Sequence, residues 1–152
     1  MNGAADLKRQ LETTRDETLD FFDLGEKQMA RTYGTGKWSV RFLLHHLADS
    51  ETVLNERIRR VLSEPEQTLM VFDEGAWAKS LEYDRMPLEI SRDVFASVRR
   101  GVIYLADKYY ESRGDLTFVH STMGTRTLRE EFDKVATHNA KHLGHIRAAL
   151  GR

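Results

Sequence analysis

The chain has 152 residues, with 23 Lys and Arg against 24 Asp and Glu, so its formal net charge is −1. It contains no cysteine, which excludes disulfide frameworks, thiolate zinc knuckles, iron–sulfur clusters and cysteine nucleophiles. Near-neutrality argues against a nucleic-acid partner, no apolar run approaches the roughly 20 residues of a membrane span, and the opening segment lacks the apolar core of a signal peptide; the expectation is a soluble, cytoplasmic protein.

No repeat, low-complexity stretch or linker divides the chain, and its length suits one core, so residues 1–152 are read as a single domain. Four segments carry helical periodicity. The first spans about residues 5–33, with Leu7, Leu11, Thr14, Thr18, Phe22 and Met29 three and four apart, a bend at Gly25 and a stop at Gly34-Thr35-Gly36. The second starts from Ser39, a good N-cap type, and runs to about Leu62 with Val40, Leu43, Leu44, Leu47, Leu54, Ile58 and Val61 as its apolar stripe. The third opens after Pro87, a residue suited to the first turn, and continues to about Arg113. The fourth starts at Thr127, where Thr127 and Glu130 fit a capping box, and ends at Gly151. Helices of about 20 residues each predict an all-α four-helix bundle with two long connections, about 63–86 and 114–126. Residues 118–120 and 125–127 suit a short extended piece, although structural filler is the simpler reading.

Five of the six histidines fall in two clusters, His45 with His46 and His138 with His142 and His145. Advancing about 100° per residue puts His46 on the flank of the second helix's stripe, beside Ser50 and Arg57, and His45 on the far side as a solvated residue. On the fourth helix His138, His142 and His145 share one edge of the buried face. His138 and His142 stand one turn apart, the spacing at which a helix offers two imidazoles to one ion. A third imidazole from a neighbouring helix would complete a three-nitrogen site. Any one of these histidines is as well explained by a hydrogen bond beside the core; the pair together with an inward His46 favours metal. Imidazole suits Zn, Ni, Cu or Fe rather than Mg or Ca, and three ligands with a vacancy typify catalytic sites. Asn139 stands where a zincin has its catalytic Glu, and the Glu-x-x-His pairs of di-iron bundles are missing. Such a centre would be mononuclear.

The segment Trp38–Glu51 resembles the second-helix motif of the DinB-like superfamily, especially its YfiT branch of metal-dependent hydrolases, which includes bacillithiol S-transferase. Phe72-Asp73-Glu74-Gly75-Ala76-Trp77 is similar to that branch's D-E-x-x-W loop, and His138 to Ile146 to its H-x-x-x-H-x-x-[HQ]-I signature. The resemblance implies an up-up-down-down bundle, a homodimer, and a divalent ion (Zn, Ni or Fe) held by His46, His138 and His142. It also implies a supporting place for His145 beside the ligands.

An open position on such an ion takes water, hydroxide or a thiolate. Glu51, Asp73 and His145 are the candidate catalytic residues around it. Glu51 projects inside the apolar stripe, where a carboxylate is costly unless paired; it either orients a ligating histidine or pairs with an Arg of another helix. Asp73 and Glu74 either approach the metal or cap a turn, the turn being favoured. Asp49, Arg59 and Arg60 read as surface and His120 as a bystander. Trp38, Trp77, Tyr109 and Tyr110 read as packing residues, with Trp77 alternatively a pocket wall. Arg57 lies on the His46 edge, where it could hold an anionic substrate. The expected function is a DinB/YfiT-type metal-dependent enzyme transferring a low-molecular-weight thiol to an electrophile. A hydrolase using metal-bound hydroxide on a small-molecule substrate, or a non-catalytic metal-binding stress-response bundle, are the alternatives.

Overall fold

The computed structural model describes residues 3–152. In chain order its elements are α1 (Ala4–Phe21), α2 (Glu26–Met29), α3 (Val40–Ser63), β1 (Thr68–Leu69), α4 (Glu74–Ser80), α5 (Leu88–Arg113), β2 (Thr117–His120), β3 (Gly124–Thr127) and α6 (Leu128–Leu150). The long helices α1, α3, α5 and α6 form the four-helix bundle. No helix among the described residues is long and apolar enough to cross a membrane.

Local chemistry sets the long helices' ends. The Ser39 hydroxyl accepts from the Phe42 N–H at the start of α3. Thr127 and Glu130 close a reciprocal capping box on α6, which ends with Gly151 in the left-handed region at φ 74°. The first predicted helix is interrupted: α1 stops at Phe21 and only a single turn, α2, follows. Its apolar spacing continues past the break because Phe21, Phe22 and Met29 all plug the same end of the core.

Side-chain pairs fix the directions. The Ala4 N–H reaches Glu111 and Lys8 reaches Asp107, so α1 and α5 are antiparallel. His45 meets Ser91 and Glu51 meets Arg99, so α3 and α5 run parallel. His46 packs on His142 and Arg57 on Glu131, so α3 and α6 are antiparallel. In chain order the bundle therefore runs up, down, down, up, which corrects the up-up-down-down order. Only the crossover from α3 to α5 returns along the bundle. The other long connection stays at one end, its residues spent on the β2–β3 hairpin, so the segments 118–120 and 125–127 are strands rather than filler. β1 joins β2 in parallel, Thr68 opposite Val119, and β3 pairs antiparallel on its other side. This small sheet ties the crossover to the hairpin, and the Ser121 hydroxyl, accepting from the Val71 N–H, adds a second tie.

Two apolar clusters fill the bundle, one around Leu7, Ile58, Val102 and Phe132, the other around Val40, Leu44, Phe95 and Ile146. Between them lies a polar layer centred on Arg99, which is 0% exposed. Its Nε and Nη2 grip the Glu51 carboxylate at 2.5 and 2.9 Å. Nη1 donates to the Leu11 carbonyl at 2.9 Å and Thr14 Oγ1 at 3.0 Å, and Nη2 also donates to Asn139 Oδ1 at 3.1 Å. All five guanidinium N–H groups are thereby used, on partners from α1, α3 and α6. Arg99 joins the four long helices at one point.

Candidate metal centre

His46 on α3 and His138 and His142 on α6 converge beside this layer. His138 Nε2 lies 3.2 Å from His46 Nε2 and 3.2 Å from His142 Nε2, and one ligand atom from each ring lies within 4.8 Å of the others. The ring of His46, fully buried, is held edge-on by Trp38 at 5.2 Å and faced by Phe72 at 6.3 Å, with the Ser50 hydroxyl 3.3 Å from its nitrogens. Burial first, and then the neighbouring imidazoles and Lys141, push all three pKa values down to about 3. The rings are therefore neutral near pH 7.

This donor set fits a divalent cation. A neutral imidazole carries one N–H and one lone pair, so protons on the converging Nε2 atoms would crowd one another, whereas three lone pairs converge without a charge to receive them. His142 Nδ1 is buried without a partner, so nothing ties its proton to a particular acceptor. At metal–nitrogen distances of about 2.0–2.1 Å, two ligands on a tetrahedral ion stand about 3.3 Å apart, close to the spacing observed.

The other expected site residues separate. Glu51 is turned away into the Arg99 layer and is the ion-pair partner of another helix's arginine. Asp73 caps α4, accepting from the Ala76 N–H at 2.9 Å. The adjacent Glu74 instead brings Oε2 to 3.5 Å from His46 Nε2, with its side chain 58% exposed. His145 stacks on Tyr33, centroids 4.3 Å apart and planes 2° from parallel, and meets the His142 ring edge-on at 5.3 Å. It braces the cluster from outside.

His45 and Asp49, read as surface, are covered. His45 is fully buried, with Nδ1 2.7 Å from Ser91 Oγ and its ring 5.1 Å from Tyr83. The Tyr83 hydroxyl donates to Asp49, whose pKa is raised by burial. A helical wheel finds the face that meets the bundle; it cannot see that the crossover folds Tyr83 over the back of α3. Arg57 is also committed, with Nη1 3.3 Å from Glu131 and Nη2 donating to the Met70 carbonyl at 2.7 Å. Trp77 packs on Phe72, centroids 5.1 Å apart, and Tyr110 is buried with its hydroxyl on Asp133. Arg60 is an exposed residue paired with Glu56 and Glu64.

Sequence reasoning named Phe72 only as part of the loop motif and did not reach its contact, or that of Trp38, with His46, nor did it choose Glu74 over Asp73. An Asp just before a helix is an N-cap signal that already assigned Asp73 to the turn. Beside the histidines opens a cleft of about 210 Å³, bounded in part by Phe72, Glu74, His120, Lys134 and His138.

A sequence profile of the DinB superfamily matches residues 10–146. A protein of Oceanobacillus iheyensis, provisionally named a metal-dependent hydrolase, is 30% identical over 145 residues, covering 93% of this chain and 82% of that protein. Another with that provisional name, from Halalkalibacterium halodurans, is 27% identical over 129 residues, covering 85% of this chain and 75% of its own. YfiT from Bacillus subtilis, described provisionally as a metal-dependent hydrolase with an unusual four-helix bundle topology, superposes with a TM-score of 0.87 at 21% identity, covering 97% of this chain and 87% of that one. That last likeness speaks for the fold. The profile match spans nearly the whole chain, which therefore belongs to the DinB superfamily.

Proposed function

We propose that this protein is a metal-dependent enzyme that activates a small nucleophile at a divalent ion, Zn, Ni or Fe, held by His46, His138 and His142. The convergence of three neutral imidazole nitrogens carries the reading. When bound, such an ion supplies a Lewis acid that lowers the pKa of a thiol or water brought to it. The nucleophile we favour is a low-molecular-weight thiol, transferred to an electrophile; in a chain without cysteine any thiol must come from a bound small molecule. Hydrolysis is the second reading, favoured by the names of the relatives.

The chain's own residues then divide the work. Trp38 and Phe72 fix the His46 ring and keep water from its faces. His145, wedged between Tyr33 and His142, fixes the His142 plane. Glu74, solvent-accessible and 3.5 Å from His46 Nε2, receives the nucleophile's proton on its carboxylate. A cytoplasmic homodimer belongs to the same proposal; the exposed Ile90, Val94 and Tyr104 on α5 offer an apolar face for a second copy.

Metal analysis of the purified protein tests the centre. Wild type should hold about one divalent ion per chain and His138→Ala should lose it while staying folded; wild type without stoichiometric metal overturns the proposal. Glu74→Gln should retain the metal and lower kcat by about 10²-fold or more, the usual contribution of a general base. Turnover of an electrophile with bacillithiol, mycothiol or glutathione separates transfer from hydrolysis. Ester or amide cleavage without thiol turnover would select the hydrolase.

A further inference from the structure

We infer that the part of the cleft formed by His120 and Lys134 is a seat for a carboxylate carried by the small-molecule substrate, holding that anionic end away from the reacting end at the histidines. The inference rests on the proposed function for the identity of the reacting end, and on the following geometry for the seat.

His120, the last residue of β2, is 4% exposed. Its Nδ1 accepts from the backbone N–H groups of Thr122 at 3.2 Å and Met123 at 3.3 Å. The hairpin turn thus fixes the tautomer: the ring proton sits on Nε2, and this N–H finds no acceptor among the described residues. This donor is therefore available to an acceptor in the cleft that His120 bounds.

Lys134 supplies the charge. It lies on α6 one turn before His138, is partly buried, and makes no ion pair among the described residues. The nearby carboxylate is Glu131, already committed to Arg57; counting Arg57, Lys134 and Glu131 together leaves one positive charge. Burial lowers the Lys134 pKa, with Glu131 opposing the fall and Arg57 and Arg126 adding to it. Lys134 and His138, one turn apart on α6, both bound the cleft, so the ammonium lies close to both of its parts.

Polarity orients the occupant. Leu54, Val71, Phe72 and Met123 give the cleft apolar walls, suited to a short carbon skeleton. Glu74 stands near His46 and repels a second anion there. A molecule with one carboxylate and one neutral reactive group fits this polarity in one direction only.

Butyrate and butyramide, which share a skeleton and differ in charge, test the seat on the protein as purified. The His120 imidazole ¹⁵N resonances should shift saturably with butyrate and not with butyramide. Lys134→Met, which keeps an unbranched apolar stem in place of the lysine's, should fold normally and weaken butyrate at least about tenfold, the scale of one charge-assisted hydrogen bond. His120→Gln should weaken it in the same direction. Equal response to both probes, no response to butyrate, or wild-type affinity in Lys134→Met overturns the inference. Metal content measured on the same samples reports separately on the proposed function: an empty centre with intact butyrate discrimination removes the enzyme reading and keeps the seat, and the reverse result does the opposite.

Discussion

Glu51→Gln probes the polar layer where it is most exposed to failure. In the native protein the Arg99 guanidinium, 0% exposed, spends all five N–H groups, two of them on Glu51. The amide removes the compensating charge, and its NH₂ group must face one of the guanidinium donors. One partner of a buried pair is lost while the other charge remains, a change that costs about 3–5 kcal/mol. Folded domains hold only about 5–15 kcal/mol in total, so the variant should unfold at a much lower urea concentration with an unchanged m value. Replacing both residues, Glu51→Leu with Arg99→Met, removes the charge and its partner together and should recover most of the loss. Urea titrations followed by circular dichroism, on Glu51→Leu, Arg99→Met and the double variant, complete the cycle. A Glu51→Gln protein within about 1 kcal/mol of wild type would refute the reasoning. So would a double variant no better than the single.

Two further outcomes concern stability. In the metal-free protein His45 titrates at about 4 and His46, His138 and His142 at about 3, all depressed chiefly by burial. The unfolded chain takes those protons near pH 6.5, so their stabilisation is complete above that pH and is lost as the pH falls toward 4 and then 3. At about 1.4 kcal/mol per pH unit, His45 alone contributes about 3 kcal/mol to that decline; urea midpoints from pH 7 to pH 4 should fall, less steeply in His45→Gln, and a flat profile would contradict the burial described. Thr127→Ala removes the hydroxyl's half of the α6 capping box, leaving the backbone N–H of residue 127 on the Glu130 carboxylate, and should cost about 1 kcal/mol; a loss of a few tenths or less would show that the adjoining β3 strand holds the helix end instead.

The helices were legible where their ends are local. Ser39, Pro87 and Thr127 each mark a start through a side chain or ring acting within one turn, and the structure begins α3, α5 and α6 just beyond them. The edge shared by His138 and His142 followed from geometry within one helix. Contacts across the fold were harder to read. Nothing near Glu51 in sequence names Arg99 as its partner, although Arg99 sits between Phe95 and Val102 on the buried face of α5 and so needed one. His45 and Asp49 were misplaced because their cover, Tyr83, arrives from a segment with no periodicity of its own. The two-residue β1 is too short to show alternation. The helix directions depended on which long connection travels the bundle's length, and length in sequence does not tell a traverse from a hairpin.

That traverse is clamped at both ends. Arg57 and Ser121 hold Met70 and Val71, and Arg41 holds the carbonyls of Tyr83 and Met86. Residues 72–82, carrying Phe72, Glu74 and Trp77 to the mouth of the centre, hang between these fixed points like a replaceable panel. The histidines belong to the frame. Substitutions or short insertions at the exposed positions of the panel, away from Phe72 and the buried Ala78, can therefore retune what the mouth admits while the frame, its core and its ligand geometry stay as they are, so new specificities in this fold cost little in stability.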